Sequence, residues 1–221
     1  MKSVVKTLLV VIALADAGYS QNINWRALRE DQQNIVQVNV GYDYGVTAQL
    51  GYDRVFAWIR PLAVGIDYSS PMGKVLLDDF KVRLGGQIEI VEAGGFSATV
   101  KIHSIFRRYQ TQLVRITSFG ADLGMVAGYY SPTWYAGGEF GFDKSITSYF
   151  KHSDVLRASF PGIRDGWYIP TGGHFYYGIQ GGKTIGGSID VSLRAGFTNA
   201  QWNDEDALLP YYAQLGIGMR L

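Results

Sequence analysis

The stretch VQVNVGYDYGVTAQLGYD, Val36 to Asp53, decides how this chain is read. Val36, Val38, Val40, Tyr42, Tyr44, Val46, Ala48, Leu50 and Tyr52 occupy every even position, and the odd positions hold Gln37, Asn39, Gly41, Asp43, Gly45, Thr47, Gln49, Gly51 and Asp53. Side chains alternate between the two faces of a strand, so this pattern makes one greasy face and one polar face. Strands of soluble proteins usually stop after about five or six residues. Asp43-Tyr44-Gly45 breaks the run into a hairpin: pairing Tyr42 with Val46 leaves a three-residue loop that a left-handed Gly can close, and even residues stay on one face throughout. A single continuous strand is the alternative.

The alternation recurs down the chain. Leu62 to Tyr68, Val82 to Ile90, Phe96 to Phe106, Phe119 to Tyr129, Trp134 to Phe142, Phe175 to Ile179, Ile189 to Phe197 and Tyr211 to Leu221 each set apolar residues against Gly, Ser, Thr and spaced charges. Ten strands result, at about 35–42, 46–55, 59–68, 80–90, 96–107, 113–129, 134–142, 173–181, 185–197 and 211–221. Nine follow if the opening run is unbroken, and eight if one strand is an extended loop. Single-chain bacterial barrels have even counts. Tyr52, Phe56 and Trp58 gather at one turn, and Tyr129, Tyr130 and Trp134 at another, as interfacial girdles do. The pattern predicts an all-β, antiparallel up-and-down transmembrane β-barrel of 10 strands, with lipid outside and polar groups inside. An exported soluble barrel or sandwich is the competing architecture.

Among 221 residues there are 28 Gly, no Cys, 14% aromatics and 18% charged residues, with a net charge of +1. The even charge argues against a nucleic-acid partner, and the missing Cys excludes a disulfide scaffold or a Cys-ligated metal. Lys2 and Lys6 followed by apolar Thr7 to Ala15 read as an export signal too short to span a bilayer. Cleavage after Ser20, or after Ala15 or Ala17, makes 1–20 the signal peptide. Residues 21–34 form a short periplasmic leader, a partial plug or a mobile tail, and 35–221 form the barrel.

The export signal, the girdled alternating strands, the short turns on one side and the terminal YYAQLGIGMRL resemble small Gram-negative outer-membrane barrels of the OmpA/OmpX/OmpW type over about residues 35–221. The Gly/Tyr-rich style and a Gln after cleavage are similar to barrels of Bacteroidota. Members of that class usually end in an aromatic residue that the barrel-assembly machinery reads, and Leu221 departs from this while keeping the apolar phase. The resemblance implies an outer-membrane location, with lipid, lipopolysaccharide, the assembly machinery and another outer-membrane protein as partners.

The phase places Asp53, Asp67, Glu89, Asp122, Glu139 and Asp190 in the interior with Lys81, Arg83, Lys101, Arg107, Arg194 and Arg220. Balanced signs suit a salt-bridged, closed interior, because buried charges persist only when paired. A small polar channel is the alternative, and the inward Gly residues either leave it room or permit tight curvature. The segment 143–172 is long for a loop and carries Tyr149, Phe150, Phe160, Trp167 and Tyr168, so it reads as an ordered extracellular lid with one helix near 144–151. Trp167 and Tyr168 fold over the mouth, meet a partner or pin the loop to the rim. Lys144, Lys151, Arg157 and Arg164 bind lipopolysaccharide phosphates or are simply solvated, and His152 stands beside them. Asp78-Asp79 caps a turn, two ligands being too few for a metal. For catalysis the sequence offers His103-Ser104 and His152-Ser153-Asp154. The first pair straddles two faces, and adjacent residues rarely build a triad. No Gly-x-Ser-x-Gly elbow and no His-x-x-x-His metal spacing occur, and no cofactor is expected. Three functions compete: a non-catalytic structural or complex-forming barrel, a channel for small solutes or hydrophobic compounds, and a lipid-modifying hydrolase at the rim.

Overall fold

The computed structural model describes residues 22–72, 77–169, 172–201 and 210–221. The signal segment 1–20 and its cleavage site lie outside the described residues. Eleven strands form one antiparallel sheet: β1 (Asn34–Tyr42), β2 (Val46–Ala57), β3 (Pro61–Pro71), β4 (Asp79–Ala93), β5 (Phe96–Gln110), β6 (Val114–Tyr130), β7 (Trp134–His152), β8 (Gly166–Tyr168), β9 (Gly173–Ile185), β10 (Ile189–Ala200) and β11 (Tyr211–Arg220). Ten of them close a barrel. Each pairs with its sequence neighbour, β7 passes directly to β9, and β1 pairs with β11 from Ile35↔Arg220 to Tyr42↔Ala213. Closure leaves the barrel without an unpaired edge. No described helix is long and apolar enough to cross a membrane.

The hairpin expected at Asp43–Gly45 forms with Tyr42 opposite Val46. Its Gly45 lies at φ 159°, close to extended backbone rather than the left-handed region. One barrel end carries short connections at 58–60, 94–95, 131–133 and 186–188, together with both ends of the barrel chain. Gly94 and Gly95, at φ 58° and 95°, make the two-residue turn that only residues tolerant of positive φ close well. The opposite end carries the Asp43 hairpin and the longer connections.

The segment 143–172 differs from its expectation. Residues 144–151 are strand, not helix, because β7 runs on for 19 residues to His152. Register explains why. Beyond Lys144, opposite the first residue of β9, β7 keeps β6 on one side and takes β8 on the other, so its backbone groups stay paired in a ladder. About 26 Å of strand thus stands past the level at which β9 begins. The helix, α1 (Asp154–Ser159), follows it, with the Ser153 hydroxyl accepting from the Leu156 N–H as its cap.

A bulge at this junction changes the faces. Phe119 pairs with Thr147 and Gly120 with Ser145, so Ile146 is an extra residue on β7. Below it, odd residues of β7 face inward; above it, Ser148, Phe150 and His152 do.

Candidate functional site

The lumen is filled from the short-turn end. Asn22 to Gln33 does not hang below the barrel but enters it, with a single 3-10 turn at Trp25–Ala27. Ile23 and Trp25 bury against inward Ile35, Val55 and Ala63, with Leu28 beside them. Trp25 Nε1 donates to Thr99 Oγ1 at 2.9 Å, and Asn24 Nδ2 donates to the Ser131 carbonyl at 2.9 Å and to Thr184 Oγ1 at 3.2 Å. Asn22 Nδ2 donates to the Tyr130 hydroxyl, Gln32 Nε2 to Ser188 Oγ at 3.0 Å, and Arg26 pairs with Glu92 at 2.9 Å.

Above this plug, the twelve inward charges are gathered in one interior. Ten are buried, and Asp67 and Arg107 are half-buried. Arg220 holds Asp190 at 2.6 Å and also donates to Thr184, while Glu89 accepts from Ser97 at 2.5 Å. Glu139 is the centre of the next layer: it pairs with Arg194 and accepts from the Tyr212 hydroxyl at 2.6 Å. Arg194 donates onward to Gln214 at 2.7 Å and lies over the Tyr212 and Tyr176 rings, at 4.4 and 5.1 Å. Tyr176 donates to Asp122 at 2.9 Å, with His103 Nδ1 at 3.7 Å and Arg83 at 4.0 Å from the same carboxylate. Arg83 also holds Asp67 at 3.1 Å, and Asp53 accepts from Gln37 at 2.6 Å. Lys101 is buried within the fields of Glu139 and Asp122. Nearest the open end, Lys81 pairs with Asp43 at 3.2 Å and Arg107 with Asp79 at 3.3 Å, and both cations lie over the Tyr44 ring.

Sequence reasoning missed the neutral half of this network: Gln37, Gln214, Tyr176 and Tyr212, together with Asp43, Asp79 and Asp143 at the mouth. Tyr in the polar phase was the available signal. The inward Gly residues are its counterpart. A Cβ on Gly124 or Gly141 would run into Tyr176, one on Gly178 or Gly196 into Tyr212, and one on Gly182 into Tyr135. These glycines let rings lie flat on the inner wall, so they take up volume rather than leave it. The void among Gln37, Asp53, Asp67, Arg83 and His103 is about 20 Å³, room for one water.

At the open end the interior changes character. A cavity of about 300 Å³ lies between the projecting β5–β7 sheet and the rim. Inward Ile105, Ile116 and Phe150 line it together with Lys81, Arg107, Lys144, His174 and Asp143. Of the expected loop contacts, Trp167 and Tyr168 separate. Trp167 lies on the outer face against Tyr149 and Phe119, at 5.3 and 6.1 Å between ring centres, while Tyr168 lies on the inner face edge-on to Phe150 at 5.1 Å. His152 donates its backbone N–H to Asp165 at 2.9 Å, and its Nδ1 lies 2.9 Å from the same oxygen. Arg157 bridges Asp165 at 3.3 Å and Asp154 at 2.7 Å. The His152 N–H, then its ring, then Arg157 hold the Asp165 carboxyl below the usual range. Lys151 is exposed, and Arg164 contributes its carbonyl to the Tyr168 hydroxyl at 2.9 Å. No group of three or more metal-ligating side chains occurs among the described residues.

No family model matches the chain, and no curated relative does. Among solved structures it is similar to the β domain of the Bordetella autotransporter BrkA, at 13% identity over 86% of this chain and 99% of that one, with a TM-score of 0.37. It is also similar to the CymD monoaromatic hydrocarbon channel, at 9% identity over 92% and 93%, with a TM-score of 0.34. Neither selects the OmpA/OmpX/OmpW type, and likeness at these scores is no ground for carrying over an activity.

Proposed function

We propose that the chain is a non-catalytic integral barrel of a Gram-negative outer membrane, closed to solute flow, with a structural or partner-binding role exercised through the projecting β6–β7 hairpin and its α1–β8 segment. The observation that carries this reading is the inversion of polarity. Ile102, Ile179 and Leu193 stand 60%, 70% and 58% exposed on the outer wall, while Lys101, Arg194 and Glu139 are buried within. Soluble monomers rarely expose apolar patches beyond a few hundred Å², whereas lipid is a fitting solvent for such a wall. Outward rings continue the pattern toward the open end, from Tyr68 to Phe80, Phe106, Phe119 and Trp167, each 5.2–6.1 Å from the next. On this reading outer-membrane lipid and lipopolysaccharide cover the wall, the barrel-assembly machinery inserts it, and a second outer-membrane protein meets the hairpin.

The filled lumen favours closure over conduction. The two hydrolase candidates also lose support: His103 faces the interior and Ser104 the outside, and the Ser153 hydroxyl caps α1 while the neighbouring His152 turns to Asp165. Heat-modifiable gel migration in outer-membrane fractions, combined with planar-bilayer recording of the purified protein, tests the reading. A heat-shifted band and a silent bilayer are expected. Discrete channel openings, or recovery of the protein in soluble periplasmic extract, would overturn it.

A further inference from the structure

Acids and bases do not balance below the mouth. Lys81 and Arg107 are taken by Asp43 and Asp79 at the open end. Of the inward charges that leaves Arg83, Lys101, Arg194 and Arg220 to face Asp53, Asp67, Glu89, Asp122, Glu139 and Asp190. A protonated His103 would still leave one carboxylate over. Arg220 serves Asp190, Arg194 serves Glu139, and Arg83 serves Asp67 and, at 4.0 Å, Asp122. Glu89 and Asp53 are left without an ion pair among the described residues, and of the two Asp53 borders the void of about 20 Å³. It is 8% exposed and accepts from the neutral Gln37. Asp67 repels it more strongly than either His103 or Lys101 attracts it. A buried charge without a paired side chain coordinates a metal ion or takes up a proton.

The void beside Asp53 is made by the backbone. Gly65 and Gly85 stand next to one another in a row that runs from Asp53 on β2 to His103 on β5. A Cβ on Gly65 would meet the Asp53 carboxylate, and one on Gly85 the His103 ring. Oxygens converge on this notch. The Gln87 side chain lines it, 5% exposed, and its Oε1 is buried with no donor among the described residues. Asp67 and Gln49 line it too while accepting from Arg83, and their oxygens keep a second lone pair. Room for one water is also room for one bare ion. Carboxylate and carboxamide oxygens suit hard cations.

We propose that the notch binds one dehydrated alkali cation, sodium or potassium, held by the Asp53 carboxylate and the Gln87 carboxamide oxygen, with Asp67 and Gln49 completing the shell. One positive charge is what Asp53 lacks. A divalent ion would bring a second, and Arg83 and His103 on the same notch oppose it. The site lies inside the strands, so a soluble or a lipid-embedded barrel would hold it equally.

Thermal unfolding of the full mature barrel in an uncharged detergent, followed by circular dichroism, tests this in sodium, potassium or choline chloride at one ionic strength. An ion that binds only the folded state stabilises it as its concentration rises. The midpoint should climb and saturate with sodium or potassium and stay flat with choline, which is too large for the notch. Asp53→Asn should lose this dependence, yet unfold in choline no lower than the native protein, because it removes a buried uncompensated charge. Gln87→Leu keeps every charge and should need more alkali salt to reach half the rise. Native midpoints that are alike in alkali and choline chloride would overturn the proposal, leaving water in the notch or a proton on Asp53. So would an alkali dependence that survives Asp53→Asn or, should that variant not fold, one whose half-point Gln87→Leu does not move.

Discussion

At the residue scale, the barrel depends on the partners of a few buried charges. Glu139 compensates Arg194 and accepts from Tyr212. Glu139→Ala leaves a guanidinium buried without its carboxylate, which costs about 3–5 kcal/mol. Urea unfolding in the Glu139→Ala, Arg194→Ala and double variants should show the double losing less than the two singles together. Asp165 behaves differently because it lies on the surface of the loop. Its carboxyl is held low by the His152 N–H, so the contact contributes above the ordinary carboxylate pKa and is lost only as pH falls through the lower folded value. Amide exchange at His152 should therefore stay slow through the usual carboxylate range and quicken below it, and in Asp165→Ala it should be fast already at neutral pH.

At the scale of elements, rings and glycines act as pairs across strands. Tyr176 on β9 lies over Gly124 on β6 and Gly141 on β7. Gly141→Ala forces the ring off the wall, with a cost of about 1–3 kcal/mol from overpacking. Adding Tyr176→Phe would not relieve it, whereas adding Tyr176→Ser should, since the clash is with the ring; unfolding midpoints of the three variants check this. The plug is a second element with its own logic. Trp25 joins an apolar contact to a hydrogen bond on Thr99, so Trp25→Ala should free the segment Asn22–Gln33 to protease. Deleting 22–29 should still leave planar bilayers silent, because the Glu139–Arg194 layer lies above the plug and closes the lumen by itself.

For the whole molecule, the outward wall is the feature that chooses a solvent. A charge placed at its middle, as in Leu193→Lys, costs about 2–4 kcal/mol against lipid and next to nothing against water. Folding of this variant into bilayers should be impaired while the conservative Leu193→Met folds normally; equal folding of the two would remove lipid from the account. The same wall explains why the interior gathers so many charges. On the proposed reading lipid offers nothing polar to meet them, so the strands turn them toward one another, where Tyr176, Tyr212 and Gln37 add hydrogen bonds to the carboxylates.

By itself the sequence determined the barrel. Period-two alternation in ten runs assigns the side chains of those runs to a wall, and with the Asp43–Gly45 hairpin it favours ten strands and yields the twelve inward charges. Local chemistry suffices for that, because pleat and polarity act within a few residues. Which charge meets which, such as Glu139 with Arg194 across 55 positions, was not legible. Neither were the rings that fill the space above glycines or the bulge at Ile146 that turns Phe150 toward the mouth, and the entry of Asn22–Gln33 into the lumen was only one of three readings of that segment. Strand tilt and closure bring residues from distant strands to the same level of the lumen, and only the tertiary structure decides those meetings.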